Sequence, residues 1–372
     1  MLGCLQDRNS TAALIRLLDD AEVRVRMAAA RALGDLGDPA ALERLARLVD
    51  GDDEKVRLEA LLSVDRIIAE NVTDDLRKMR LRVARKALLD DSWPVRLAAC
   101  DLLLNNPDES SLPALIRGIR DESPEREGSR RRVRSALRRT LAALTGEDFP
   151  SFRPEDWEAW WERVQAGFRL PEQGLAAIAP EQGARFCGLP VESDVVLFLL
   201  DISGSMNQPV TGDPDGPTRI FIALRETRRC VEALEDGTRF NIVLFNDKIY
   251  PFMNEPVEKS AVSVESASRF MRTVRPDGGT DLFGALDHVL GLGRVNPDET
   301  PVFGDLDTLV LLTDGMPSRG TVLIPEEILH QVSHANRPYR IAIHTVNAGG
   351  TEETFLKRLA VENFGESCSL RN

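Results

Sequence analysis

In the first half of the chain, apolar residues recur at helical spacing. Val25-Arg26, Val56-Arg57, Val95-Arg96 and Val133-Arg134 each open an apolar stretch. Three residues after each arginine stand Ala29, Ala60, Ala99 and Leu137, and seven after stand Leu33, Val64, Leu103 and Leu141. Those offsets place one apolar stripe on each helix, and small residues within it allow neighbouring helices to approach closely. A second amphipathic stretch precedes each of these: Ala12–Leu18, Pro39–Val49, Asp75–Leu89 and Leu112–Ile119. Acidic turns such as Asp19-Asp20 and Asp90-Asp91 join them. From Asp194 the pattern changes. Short apolar runs predict strands at Val195–Leu200, Phe240–Phe245, Thr308–Leu312 and Arg340–Val346, with Lys248–Phe252 hairpinned to the second across Asn246-Asp247. Helical patterns fall at Thr218–Leu234, Ala261–Val274, Asp281–Leu292, Pro325–Ala335 and Glu352–Glu362. Strand–helix alternation predicts a mainly parallel sheet covered on both faces. Its functional residues gather where loops leave the carboxyl ends of the strands.

The helix pairs of the first half resemble HEAT repeats, which stack into an α-solenoid. No single pair buries its own stripe, so the stack is the folding unit. The fourth repeat departs from the pattern, with a stretched and charged turn at Asp121–Arg130. Trp157, Trp160 and Trp161 share one face of a further helix. They form either an aromatic binding platform or, the favoured reading, a hydrophobic cap on the last exposed stripe of the stack. Gln165–Gln182 reads as a linker. The predicted division is a solenoid over 1–147, a tryptophan-rich capping helix and linker over 148–189, and an α/β domain over 190–372.

Charge sharpens that boundary. The chain of 372 residues has a formal net charge of −13. Residues 1–150 carry 26 basic and 27 acidic side chains, whereas residues 151–372 carry 21 and 33. A strongly acidic balance argues against a nucleic-acid-coating role and points to cations or basic partners. The dense arginine run Arg130–Arg139 is either a phosphate- or acid-binding patch, or else a solvated helix face or a contact with the acidic second domain. The second reading is favoured because charge runs mostly lie on exposed surface. The five cysteines, Cys4, Cys100, Cys187, Cys230 and Cys368, form no CxxC pair. That spacing fits neither a disulfide framework nor a thiolate zinc site, and suits a reducing compartment. The start Met1–Arg8 has no basic region followed by a long apolar run, and Val195–Leu200 is too short to span a bilayer. A cytoplasmic protein without a membrane span is expected.

The candidate chemistry lies in three loops of the second half: Asp201-Ile202-Ser203-Gly204-Ser205, Gly278-Gly279-Thr280-Asp281 and Thr313-Asp314-Gly315. Asp-x-Ser-x-Ser followed by a later Thr and Asp resembles the metal-ion-dependent adhesion site of von Willebrand factor type A domains, over residues 190–372. The resemblance implies a doubly wound, Rossmann-like α/β fold. It also implies a metal site made of Asp201, Ser203, Ser205, Thr280 and Asp314. By the same resemblance, Ser203 and Ser205 bind the metal directly, and Thr280 binds directly or through water. Asp201 and Asp314 act directly or through water and orient the hydroxyls. All five donors are oxygens, which suits a hard cation: Mg²⁺ first, with Mn²⁺ or Ca²⁺ as substitutes. Two carboxylates and three neutral hydroxyls do not swamp the ion's charge; where both carboxylates act through water, the ion stays strongly Lewis acidic, with a position open to a partner's carboxylate. Asp281 reads instead as a helix cap.

Two loops bear on the site. Asn207–Pro217, with Asp213 and Asp215, follows the serines and is expected beside the metal. The acidic loop Arg294–Asp307 precedes a strand and is expected at the opposite end of the sheet. After the Glu352–Glu362 helix only Asn363–Asn372 remains, with a short strand at Glu366–Leu370. The family resemblance would add an edge strand and a final helix, so ligand-driven switching of such a helix is not expected. His330 and His334 have zinc-helix spacing, but Gln331 stands where a general base belongs and no third ligand is evident. Two functions follow. One is a non-enzymatic, metal-dependent adaptor whose metal site captures a partner's acidic side chain while the solenoid docks a second partner. A concrete form of it presents a client to an ATPase complex. The other is a metal-dependent hydrolase that activates water, which lacks an identifiable general base.

Overall fold

The computed structural model describes residues 10–122, 130–150, 153–171, 183–210, 215–292, 305–350 and 353–370. The first nine residues, the middle of the Asp121–Arg130 turn, 172–182 of the linker, Asp213 and residues 294–304 of the acidic loop lie outside them. The chain divides into two compact units, 1–179 and 180–372.

Among the described residues, the first unit is entirely helical. Its first helices are α1 (Thr11–Leu17), α3 (Leu42–Leu48), α5 (Asp74–Ala87) and α7 (Leu112–Asp121). Each lies against the helix that follows it: α2 (Val23–Leu36), α4 (Glu54–Glu70), α6 (Trp93–Asn105) and α8 (Arg131–Thr145). The second helices pack on one another in succession, α2 on α4, α4 on α6 and α6 on α8. Small residues set their spacing: a Cβ on Gly34 would stand 2.6 Å from Ser63 Oγ. The helix α9 (Pro154–Val164) closes the series against α7. Trp157 and Trp160 are buried in the same core, edge-on to Phe149 and Phe168 at centroid distances of 4.9 and 5.4 Å.

The arginine of each Val-Arg pair ties its repeat to the turn before it. Arg26 donates to the carbonyls of Asp20 and Ala21 at 2.8 and 2.9 Å. Arg57 donates to Gly51 and Asp52, both at 3.1 Å, and forks onto the Asp90 carboxylate at 2.7 and 2.8 Å. Arg96 donates to the Asp90 and Asp91 carbonyls at 2.7 and 2.9 Å and pairs with buried Glu122. Arg134 reaches the Glu122 carbonyl at 3.3 Å. Turns between helices leave carbonyls unpaired, and a guanidinium has enough donors to serve a turn and the next repeat's acid together. The acidic turns thus carry the partners of the repeating arginines.

The second unit is built on one sheet. Its strands are β3 (Val195–Asp201), β4 (Arg239–Phe245), β5 (Ile249–Pro251), β6 (Val257–Glu258), β7 (Thr308–Thr313), β8 (Ala342–Asn347) and β9 (Ser367–Ser369). The order is β5-β4-β3-β7-β8-β9, with β6 also on β4. Strands β4, β3, β7, β8 and β9 are parallel, and β5 and β6 are antiparallel to β4. Central strand β3 alternates between two cores. Val196, Phe198 and Leu200 face one, with helices α10 (Arg219–Ala233) and α11 (Ala261–Arg272). Val195, Leu197 and Leu199 face the other, with α12 (Leu282–Leu290), α13 (Pro325–Asn336) and α14 (Glu353–Val361). This is an α/β layer fold with a mostly parallel sheet. A strand buried on both faces has no polar side to show, which is why β3 reads as a continuous apolar run.

Two features were not predicted. A short ribbon, β1 (Arg185–Phe186) with β2 (Leu189–Pro190), straddles the predicted boundary between 189 and 190, and Phe186 packs 5.5 Å from Phe198. Short β6 is the other. At the amino end of the sheet, Asp307 accepts from Ser193 and from the amides of Asp194 and Val195. The described end of the acidic loop therefore sits opposite the carboxyl ends of β3 and β7.

Removal of the Arg57 side chain by Arg57→Ala strips four hydrogen bonds and leaves the largely buried Asp90 carboxylate without its cation, held only by the Ser92 amide at 2.8 Å. It is expected to cost about 2 kcal/mol or more. Arg47→Ala removes an exposed ion pair with Glu43 within one helix and is expected to cost below ~0.5 kcal/mol. Urea unfolding of the two variants checks the contrast, and equal losses would refute the latch.

Candidate metal centre

Strand β3 has β4 on one side and β7 on the other, so the chain reverses direction across the sheet between β3 and β7. At such a switch point the loops part and leave a crevice beyond the carboxyl ends. Asp201 is the last residue of β3 and Asp314 follows β7 directly. The Asp201 carboxylate accepts the Ser203 amide at 2.7 Å and the Thr313 hydroxyl at 2.6 Å. The Ser203 and Ser205 hydroxyl oxygens lie 3.1 Å apart, and Ser205 donates to Asp314 Oδ1 at 2.8 Å. Asp314 Oδ2 accepts from Arg219 at the start of α10. Asp201, Ser203, Thr280 and Asp314 are all at most 5% exposed.

Thr280 comes from a separate loop held against the first by backbone bonds. Gly204 N–H donates to the Gly278 carbonyl at 3.1 Å, and Asp277 N–H to the Ile202 carbonyl at 3.0 Å. The turn between β4 and β5 braces this loop from outside: Asn246 donates to the Asp277 carbonyl at 2.9 Å, and Asp247 accepts the Gly279 amide at 3.1 Å. Ser318 accepts the Thr280 amide at 3.0 Å. The Thr280 hydroxyl has no hydrogen-bond partner among the described residues, so it is a nearly buried donor group left over by the protein. On the other flank, a Cβ on Gly350 would fall 1.7 Å from the Asp314 carbonyl, so only glycine allows the turn after β8 to close there.

The structure therefore links Asp201, Ser203, Ser205 and Asp314 into one cluster and brings the Thr280 loop beside it. Asp281 points elsewhere and caps α12 through the Gly284 amide at 2.8 Å. His330 and His334 are exposed on α13, their rings 6.1 Å apart. Among the described residues, no three His, Cys, Asp or Glu side chains converge. A site here draws on neutral hydroxyls rather than on a cage of carboxylates.

Residues 195–367 match the model of the von Willebrand factor type A domain, and residues 1–65 match HEAT repeats. The second unit is a von Willebrand factor type A domain. The chain is 26% identical over 182 residues to inter-alpha-trypsin inhibitor heavy chain H2 of Mesocricetus auratus, covering 46% of this chain and 17% of that protein. It is 29% identical over 183 residues to heavy chain H6 of Homo sapiens, covering 48% and 13%. The chain thus spans less than a fifth of the length of these relatives. Among solved structures, the manganese-loaded TRAP protein of Plasmodium vivax is 20% identical, with 45% of this chain and 63% of that one covered at a TM-score of 0.33. Type A domains typically bind proteins through their adhesion site and are generally non-catalytic.

The donor set of this type A domain fits a hard divalent cation. Burial pushes the Asp201 carboxyl up to about 6, the nearby Asp314 charge adds to the shift, and the bonds from Thr313 and Ser203 offset part of it. Two carboxylates held close in a buried crevice repel one another, and a cation between them relieves that. Sequence reasoning missed the supports: Thr313, Asn246, Asp247, Ser318 and Arg219. Thr313 had a signal, its place beside Asp314. The others lie far away in sequence and became neighbours only through the sheet.

Asp201 has a direct consequence for stability without metal. The folded state holds its proton up to about pH 6, whereas an unfolded aspartate lets go near about 3.9. The metal-free domain is therefore more stable below that lower value and loses stability as pH rises through about 6. Asp201→Asn removes the penalty. At pH 7.5 without metal it is expected to raise stability by on the order of 1–3 kcal/mol, and near pH 4 to change little. Chemical denaturation at the two pH values checks this, and a variant weaker than the parent at pH 7.5 refutes it.

Proposed function

We propose that the type A domain is a metal-dependent protein-binding module whose ion is Mg²⁺, with Mn²⁺ or Ca²⁺ as substitutes. Ser203 and Ser205 would donate hydroxyl oxygens directly, and Thr280 would donate directly or through water. Asp201 and Asp314 would orient those hydroxyls and balance the charge. The bound ion would supply Lewis acidity at an open position, where a carboxylate of a protein partner fits.

One observation carries this reading. At the switch point of the sheet, two hydroxyls and two carboxylates form a single cluster, and Asp201 at its base is 0% exposed. Oxygen-only donors favour hard cations. A turn that merely capped a helix would not need a second buried aspartate from β7.

The solenoid would dock a second partner, which makes the chain an adaptor. In its concrete form, the type A domain would hold a client by an acidic side chain while the solenoid engages an ATPase complex, in a cytoplasmic setting.

Calorimetric Mg²⁺ titration of the parent and of Asp201→Ala tests the metal. Binding by the parent, with at least tenfold weaker binding by the variant, is expected, on the order of 1.4 kcal/mol or more. Equal binding refutes the site. Capture of partners in Mg²⁺ against EDTA then tests its use: a partner kept equally in both would transfer recognition to the solenoid. Turnover of phosphoester or peptide substrates in step with metal occupancy would replace the binding role with hydrolysis.

A further inference from the structure

The adhesion-site cluster contains a cation of its own. Arg219, the first residue of α10, donates through Nη1 to Asp314 Oδ2 and through Nη2 to the Gly349 carbonyl at 3.1 Å. Its side chain is 13% exposed and that of Asp314 is 1% exposed. Its Nε is buried and has no partner among the described residues. The guanidinium is thus committed to this place and is not a surface arginine that happens to touch an acid.

The seat is shaped for it. Gly349 has φ +109, and a Cβ there would lie 3.3–3.4 Å from the guanidinium nitrogens. Asn347 holds the turn in that form by accepting the Gly349 and Gly350 amides at 3.0 and 2.8 Å. Arg219 therefore joins α10, the β7 end and the β8 turn around one carboxylate. Asp314 is left with Oδ1 bonded to the Ser205 hydroxyl and Oδ2 bonded to the guanidinium.

We infer that Arg219 sets the site's preference for an anionic ligand. This rests on the metal reading above and adds to it a specificity-determining residue and its sign. Without Arg219, two carboxylates and a divalent ion sum to zero, and only the ion's own contact would favour an anion over a neutral oxygen at the open position. With Arg219 the loaded site keeps one positive charge, which a carboxylate from the partner neutralises. At the rim, Asp247 and Arg319 face each other at 3.8 Å and add no net charge. The same guanidinium opposes entry of the metal, because it repels the cation and occupies Asp314 Oδ2. Arg219 thus weakens metal binding and strengthens anion binding together. A residue that only supported the fold would shift both in the same direction.

The test uses the full chain at pH 7.5 with Mn²⁺ as probe. Water-proton relaxation reports bound Mn²⁺, and acetate against acetamide reports the ligand preference of the loaded site. Arg219→Gln is expected to bind Mn²⁺ about tenfold more tightly than the parent and acetate about tenfold more weakly, with acetamide little changed. Arg219→Met, which keeps an apolar stem in the seat, is expected to follow Arg219→Gln. Arg219→Lys keeps the charge and is expected to stay near the parent in both. Weaker binding of both Mn²⁺ and acetate in Gln and Met variants that fold normally would overturn the inference and leave a purely structural role. No Mn²⁺ binding by the parent would overturn the metal reading itself, and this inference with it.

Discussion

Two carboxylates held within one crevice, out of water, are the constraint on which the type A domain turns. Asp201 ends β3 and Asp314 follows β7, and the parallel register of these strands gives neither any freedom to withdraw. Burial and mutual repulsion make the ionised pair unfavourable. The surroundings answer with donors: the Ser203 amide, the Thr313 and Ser205 hydroxyls and the Arg219 guanidinium all aim at these two groups. The apolar strands beneath hold the cluster stiff. Replacing fully buried Phe198 by alanine would remove about 3–5 kcal/mol from that platform.

The solenoid meets a related problem with different means. Each of its turns leaves carbonyls without helical partners, and each repeat must hold its neighbour in register. Arginines 26, 57, 96 and 134 address the turns, and 57 and 96 also bridge to the next repeat's acid. Within the Arg130–Arg139 run, Arg134 reaches the Glu122 carbonyl, Arg138 pairs with Asp148, and Arg132 lies over the Trp93 ring. These members have partners within the first unit itself.

Fixed protein charge plays opposite parts in the two units. In the solenoid, guanidinium and carboxylate neutralise each other and the interaction ends there. In the type A domain, the balance between Asp201, Asp314 and Arg219 leaves a negative remainder, which favours entry of a cation. That remainder is a property of three residues, whatever the net charge of the chain.

The chain's own order of residues determined the element types and the layer plan. Periods of helix and strand follow from which faces must be buried, and those periods are local. The five candidate oxygens could be singled out for the same reason, because their loops stand where an apolar run stops or a helix begins. The β1–β2 ribbon was not legible, since four strand residues across a two-residue turn carry almost no periodicity. Nor was the place of Arg219, which stands 95 positions from Asp314 in the chain. Nothing in its local pattern separates it from any arginine opening an amphipathic helix. Only the crossing of β3 between β4 and β7 brings the start of α10 over the end of β7, and long-range pairing of this kind belongs to the folded sheet and to no single segment of it.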